Sequence, residues 1–141
     1  MSNESLTQPI RREVDVYVAV SRGRELARQI GFDEIDRTRI EIAILELTRN
    51  ILVHAGSGQL TLREVAQNTR RGIEVEASDS GPGIEDIELA LRDGYSTAHT
   101  LGAGLPGVKR LMDEMVVESV IGIGTTVRAV RWLPTQQRGR R

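Results

Sequence analysis

Between Asp33 and His54, Ile40, Ile44, Leu47 and Ile51 recur at spacings of four, three and four. That is the period of one helical face, and it predicts a long amphipathic helix with Asp33 as N-cap. Such a stripe needs a second layer to cover it, and the neighbouring segments supply strands. QLTLREVAQ and IEVEASD, joined across NTRRG, predict a hairpin; MVVESV and TVRAVRW around the turn IGIG predict another. Upstream, Val14, Val16, Val18 and Val20 alternate with Asp15, Tyr17, Ala19 and Ser21, which predicts a half-buried strand. SRGRELARQI then predicts a short helix stopped by Gly31. Between the hairpins, IEDIELALRD reads as a short helix, GYSTAHTLGAG as a polar loop, and LPGVKRLMDEM as a helix with Leu105, Val108, Leu111 and Met112 on one face. This order predicts an α/β two-layer sandwich, a mixed β-sheet covered on one face by helices.

A chain of 141 residues has room for one such domain, expected over residues 1–133, and neither a repeat nor a linker divides it. PTQQRGRR, from Pro134, reads as a basic disordered tail. With 19 Lys+Arg against 20 Asp+Glu there is no bulk charge to draw nucleic acid or an anionic membrane. The aromatics are Tyr17, Phe32, Tyr95 and Trp132, too few for a base-stacking platform. The absence of cysteine removes disulfides, thiolate metal sites and cysteine nucleophiles, and two histidines cannot form a three-histidine centre. Any metal must be held by oxygen. The N-terminal MSNESLTQPIRREV has no apolar core of a signal peptide, and the longest uncharged run, Gly94 to Val108, holds four glycines and a proline. A soluble, cytoplasmic protein is expected.

Three glycine clusters need a reason, because glycine weakens regular structure and serves where backbone turns sharply or approaches a ligand. Asp79-Ser80-Gly81-Pro82-Gly83 ends a predicted strand, where Asp79 is either a turn former or an acceptor aimed at a ligand. Gly102-Ala103-Gly104-Leu105-Pro106-Gly107 matches GxGxxG, yet no buried apolar strand precedes it and the chain is too short for the rest of a dinucleotide fold. It is no P-loop either, since Lys109 does not directly follow Gly107 and no Ser or Thr follows it. A glycine loop opening a helix still offers backbone N–H groups to an anion such as phosphate. Gly122-Ile123-Gly124-Thr125-Thr126 reads by itself as a strand-joining turn. On the long helix Glu46 and Asn50, four apart, share a face beside the apolar stripe; taken alone, Glu46 reads first as a surface partner for Arg49.

The ordered combination is more specific than its parts. A helical ExxxN, a strand ending in DxGxG, a GxG loop opening a helix and a GxGT before the last strand are the N, G1, G2 and G3 boxes. In them the chain resembles the GHKL ATPase and kinase superfamily (gyrase, Hsp90, histidine kinases, MutL), over residues 10 to 133. Within it, ELTRNI, ASDSGPGIEDI, DGYST, LGAGLPGVKRLMDE and GIGTTV resemble the serine kinases of bacterial stressosomes. The resemblance implies the Bergerat fold and a lid at about residues 93 to 103. It implies ATP and Mg²⁺ as cofactors, and phosphorylation of a serine on a STAS-domain antagonist (RsbS-like). An RsbR-like scaffold is a second candidate substrate, and an RsbU-like phosphatase the target activated on release. Carried over residue by residue, Glu46 would take the proton of the attacking hydroxyl and Asn50 would ligate Mg²⁺. Asp79 would accept from the adenine amino group, with Gly81 and Gly83 letting the base lie against backbone. Gly102, Gly104 and Leu105 would present N–H groups to the phosphates, and Thr125 would close the adenine end. His54 and His99 are expected to be incidental, since neither lies in the helical dimerisation segment of a histidine kinase. The runner-up is an anti-sigma factor of the RsbW or SpoIIAB type, with the same ATP site; a nucleotide sensor without transferase activity is disfavoured by Glu46.

Overall fold

The computed structural model describes residues 5–92 and 104–134. The loop that carries Gly102, His99 and the expected lid, and the basic tail from residue 135, lie outside them. The elements run β1 (Ser5–Ile10), α1 (Glu13–Ile30), α2 (Glu34–His54), β2 (Gly58–Gln67), β3 (Arg70–Asp79), α3 (Ile87–Ala90), α4 (Leu105–Leu111), β4 (Glu114–Val120) and β5 (Gly124–Trp132). The strands form one sheet in the order β1-β2-β3-β5-β4, and α1 and α2 pack on each other and on this sheet.

The two-layer α/β sandwich is as expected, but the sheet is not mixed: every pairing is antiparallel. The connection through α3 and α4 does return the chain in the direction of β3. The final hairpin, however, docks through its second strand, so β5 separates β3 from β4 and the two like-directed strands never pair.

The predicted strand over Val14–Val20 is corrected as well: it is the first half of an 18-residue helix, and the first strand lies upstream at Ser5–Ile10. The alternating valines masked a helical stripe of small residues. Val16, Ala19, Gly23, Ala27 and Ile30 are buried at spacings of three, four, four and three, whereas Val14 and Val18 are exposed. At Gly23 a Cβ would collide with the Ile44 side chain, so the missing methyl lets α1 approach α2. The Asp15 carboxylate caps α1 by accepting the N–H groups of Arg11 (2.9 Å) and Arg12 (3.0 Å), which hold its pKa below the ordinary value. Helix α1 stops at Gly31 in the left-handed conformation, as read from the sequence.

Helix α2 matches its prediction at both ends, with the Asp33 side chain accepting from the Asp36 N–H at 2.9 Å. Its stripe is fully buried over Leu60, Leu62, Ile73, Val75 and Ala129 of the sheet. Ala43, Glu46 and Thr48, which flank the stripe, are buried too. Where α2 begins and α4 ends, Arg131 of β5 donates to Asp36 Oδ1 and to the Leu111 carbonyl, both at 2.9 Å. On the open face of the sheet Arg63 and Arg128 interleave with Glu74 and Glu76 in a four-residue ionic lattice. Trp132, the lone tryptophan, ends β5 opposite Gly72 with the Arg70 guanidinium 4.1 Å from its ring centre.

Candidate functional site

A cavity of about 340 Å³, within the ordinary range of small-molecule sites, opens where α2 crosses the ends of β3 and β5. Asn50 and His54 come to it from α2, Asp79 from β3, Gly83 from the turn beyond, Thr125 from β5, and Gly104 and Leu105 from the start of α4. The apolar residues between them, Leu47, Ile51, Ala77, Ile84, Leu89, Ala90 and Val127, make greasy walls with a few polar groups at defined places.

Asp79 is the last residue of β3 and pairs with Thr125 across the strands. Its Oδ1 accepts the Gly81 N–H at 2.8 Å, an Asx turn that leaves Oδ2 as the second acceptor. The turn is pressed from two sides. A Cβ on Gly81 would lie 2.6 Å from that of Ala55, just past α2, and one on Gly124 would collide with the Asp79 carbonyl oxygen. Gly124 also has φ +151°, so Gly124→Ala should cost about 1–3 kcal/mol of stability in a urea titration. A loss within experimental error would show that the Asp79 turn yields freely. Ser119, which no motif marks, ties the turn to the last hairpin: its Oγ receives the Ile84 N–H at 2.7 Å and lies 2.8 Å from Thr125 Oγ1.

Of the residues singled out in the sequence, Asn50, Asp79, Gly83, Gly104, Leu105 and Thr125 meet on this cavity. Gly81 does not line it and serves the approach to Ala55 instead. Gly102 lies outside the described residues. His54 lines the cavity at the end of α2, which its reading as incidental did not anticipate. Glu46 stands outside the lining, one helical turn before Asn50, and is no surface residue: it is 2% exposed, with Oε1 buried and unpartnered among the described residues. Arg49, the alternative partner suggested by spacing, turns to α1, donating to Glu13 Oε2 at 2.7 Å and the Tyr17 hydroxyl at 3.0 Å. No group of three or more His, Asp or Glu among the described residues is arranged to hold a metal by itself.

The helices lie on one face of the sheet, and the cavity is framed by an asparagine on the long helix, an aspartate closing a strand and a glycine opening a helix, the frame of an ATPase domain. The chain belongs to the histidine kinase-like ATPase domain family, whose model matches residues 11–131. It is similar to the serine/threonine-protein kinase RsbT of Bacillus subtilis (strain 168), 47% identical over 133 residues that cover 94% of this chain and 99% of that protein. A more distant relative is the anti-sigma F factor of Caldanaerobacter subterraneus subsp. tengcongensis, 33% identical over 100 residues, 67% of this chain and 68% of that one. Among solved structures, the mycobacterial sensor histidine kinase MprB superposes with a TM-score of 0.55 at 18% identity, covering 92% of this chain and 97% of that one, a likeness of fold. No helix among the described residues is long and apolar enough to cross a membrane.

Proposed function

We propose that this chain is an ATP-dependent protein serine/threonine kinase of a bacterial, cytoplasmic stress-signalling partner switch. Its substrates are STAS-domain proteins, an RsbS-like antagonist with an RsbR-like scaffold as second candidate, and on release it activates an RsbU-like phosphatase. The observation that carries this reading is the convergence of Asn50, Asp79, Gly104 and Thr125 on one cavity, one helical turn from the buried carboxylate of Glu46. The similarity to the serine/threonine-protein kinase RsbT over nearly the whole chain supports a serine or threonine hydroxyl as the acceptor.

In this reading the adenine lies between the apolar walls, with its amino group donating to Asp79 Oδ2 and Thr125 behind it. Gly104 and Leu105 turn main-chain N–H groups to the phosphates, a role also proposed for Gly102, which lies outside the described residues. The donor set fits Mg²⁺. Among the described residues there is no acidic or histidine cluster, so a hard ion would be held by the carboxamide oxygen of Asn50 and otherwise by oxygens of nucleotide and solvent. Bound there, Mg²⁺ supplies charge neutralisation at the phosphates. Glu46 accepts the proton of the substrate hydroxyl as it attacks; positioning and charge compensation do most of the rest.

Incubation with Mg-ATP, a serine-bearing STAS protein and a sigma factor tests the reading. Phosphate on the STAS serine is the expected result; a stable sigma-factor complex without transfer would put the anti-sigma reading in its place. ATP should also bind in preference to GTP. Guanine sets a carbonyl against the Asp79 carboxylate, and a buried unpaired acceptor costs on the order of 1–3 kcal/mol, more when charged. Asp79→Asn should weaken ATP binding with the fold intact. Equal affinity for the two nucleotides would remove Asp79 from its role.

A further inference from the structure

On α2, two buried polar atoms lack partners among the described residues, and they are complementary: Oε1 of Glu46, an acceptor, and Nε of Arg49, a donor. The residues are three apart on one helix, where side chains are neighbours with Cβ atoms about 5–6 Å from each other. A buried group without a hydrogen bond is unfavourable, so each is under pressure to find the other. One terminal nitrogen of Arg49 is already committed. Its Nη2 donates to Glu13 Oε2 at 2.7 Å and to the Tyr17 hydroxyl at 3.0 Å, and the Tyr17 hydroxyl donates to the same Glu13 oxygen at 3.3 Å. A guanidinium is a planar fork with several donors, so one nitrogen can stay anchored on α1 while Nε serves a second carboxylate.

We infer that Arg49 is the positioning residue for Glu46: anchored to α1 by Glu13 and Tyr17, it turns its Nε–H to Glu46 Oε1 and so leaves the other carboxylate oxygen directed at the substrate hydroxyl. The inference rests on the reading of Glu46 as the proton acceptor. Burial holds Glu46 in place, but Oε1 has no partner among the described residues to orient it, and a carboxylate turned away from the nucleophile is a poor base whatever its charge. The anchor gives α1 a direct hold on the reacting group, because Glu13 and Tyr17 fix the guanidinium that fixes the carboxylate. Arg49 touches neither nucleotide nor substrate in this scheme, and it is absent from the cavity lining.

Single-turnover transfer from Mg-ATP to a serine-bearing STAS protein, with nucleotide affinity measured in parallel, tests it in the full chain. Arg49→Met should lower the transfer rate roughly tenfold with ATP affinity unchanged, and Arg49→Lys should recover little, since one ammonium cannot serve both sites as the fork does. The double variant Glu13→Gln, Tyr17→Phe lies on the surface and should fold; it should slow transfer about threefold when Arg49 is present and not at all when Met replaces it. That loss of additivity is what a merely structural role for Arg49 would not produce. A normal rate in Arg49→Met, or additive effects of the anchor and Arg49, would overturn the inference. Glu46→Gln is the companion measurement: a normal rate there removes the role of Glu46 itself, whereas a slow Glu46→Gln beside a normal Arg49→Met removes only that of Arg49.

Discussion

Replacing Glu46 by alanine should leave Mg-ATP binding intact and lower phosphoryl transfer by roughly 10²–10⁴, the loss expected when a general base is removed. Both halves follow from where the residue sits. Glu46 is outside the lining of the cavity, so no nucleotide contact is lost, and its buried carboxylate stands one helical turn from Asn50. Stability should change little, because the substitution removes an incompletely satisfied buried acid as well as some packing. Asn50→Ala is the contrast, since it takes the carboxamide out of the cavity and should damage nucleotide binding and transfer together. Nucleotide titration and single-turnover transfer on the two variants separate these effects. A Glu46→Ala protein that transferred phosphate at the normal rate would sink the assignment of the base.

The largest expected loss of stability comes from the other end of α2. Arg131→Ala should destabilise the protein by about 3 kcal/mol, the lower end of what breaking a buried ion pair costs. Asp36 in the first turn of α2 is 8% exposed at its side chain, and Arg131 at 18% lies over it. Removing the guanidinium leaves that carboxylate with Arg39 alone, a partner 46% exposed, and strips the Leu111 carbonyl at the end of α4 of its donor. The lower end of the range applies because Arg39 persists. Arg131→Lys should recover only part of the loss, since one ammonium replaces a fork that reaches two elements. Urea unfolding with an unchanged slope and a lower midpoint is the expected readout. A difference below about 1 kcal/mol, the worth of an exposed pair, would mean that solvent reaches this network freely.

What could be read in the sequence was local and chemically particular. Helix α2, its Asp33 cap and its stripe are visible because propensity, capping and periodicity agree there. The hairpins are visible for the same reason. Helix α1 was hidden because its buried face is built from small residues, Ala19, Gly23 and Ala27, which carry little hydrophobic signal, while valines on its outer side mimic a strand. The antiparallel sheet depended on which strand of the last hairpin docks, a choice made by tertiary packing. At the site, Asp79, Asn50 and Thr125 were marked by glycine and box spacing. The burial of Glu46 was not, since it lies beside the apolar stripe and depends on tertiary packing, and Ser119 sits in an ordinary alternating strand.

The lone tryptophan divides the chain's optical signals in two. Trp132 and Gly72 pair at one end of the β3–β5 ladder, and Asp79 and Thr125 at the other, seven residues and about 23 Å away at the rise of an extended strand. Emission from the indole therefore follows the loosening of Arg70 and the sheet's distal corner, and an adenine entering the cavity lies beyond the range of contact quenching. Denaturation curves can be collected by fluorescence in the presence of any nucleotide without correcting for its arrival, whereas occupancy has to be followed with a dye carried on the nucleotide itself. One sample can then report ligand and fold on separate wavelengths.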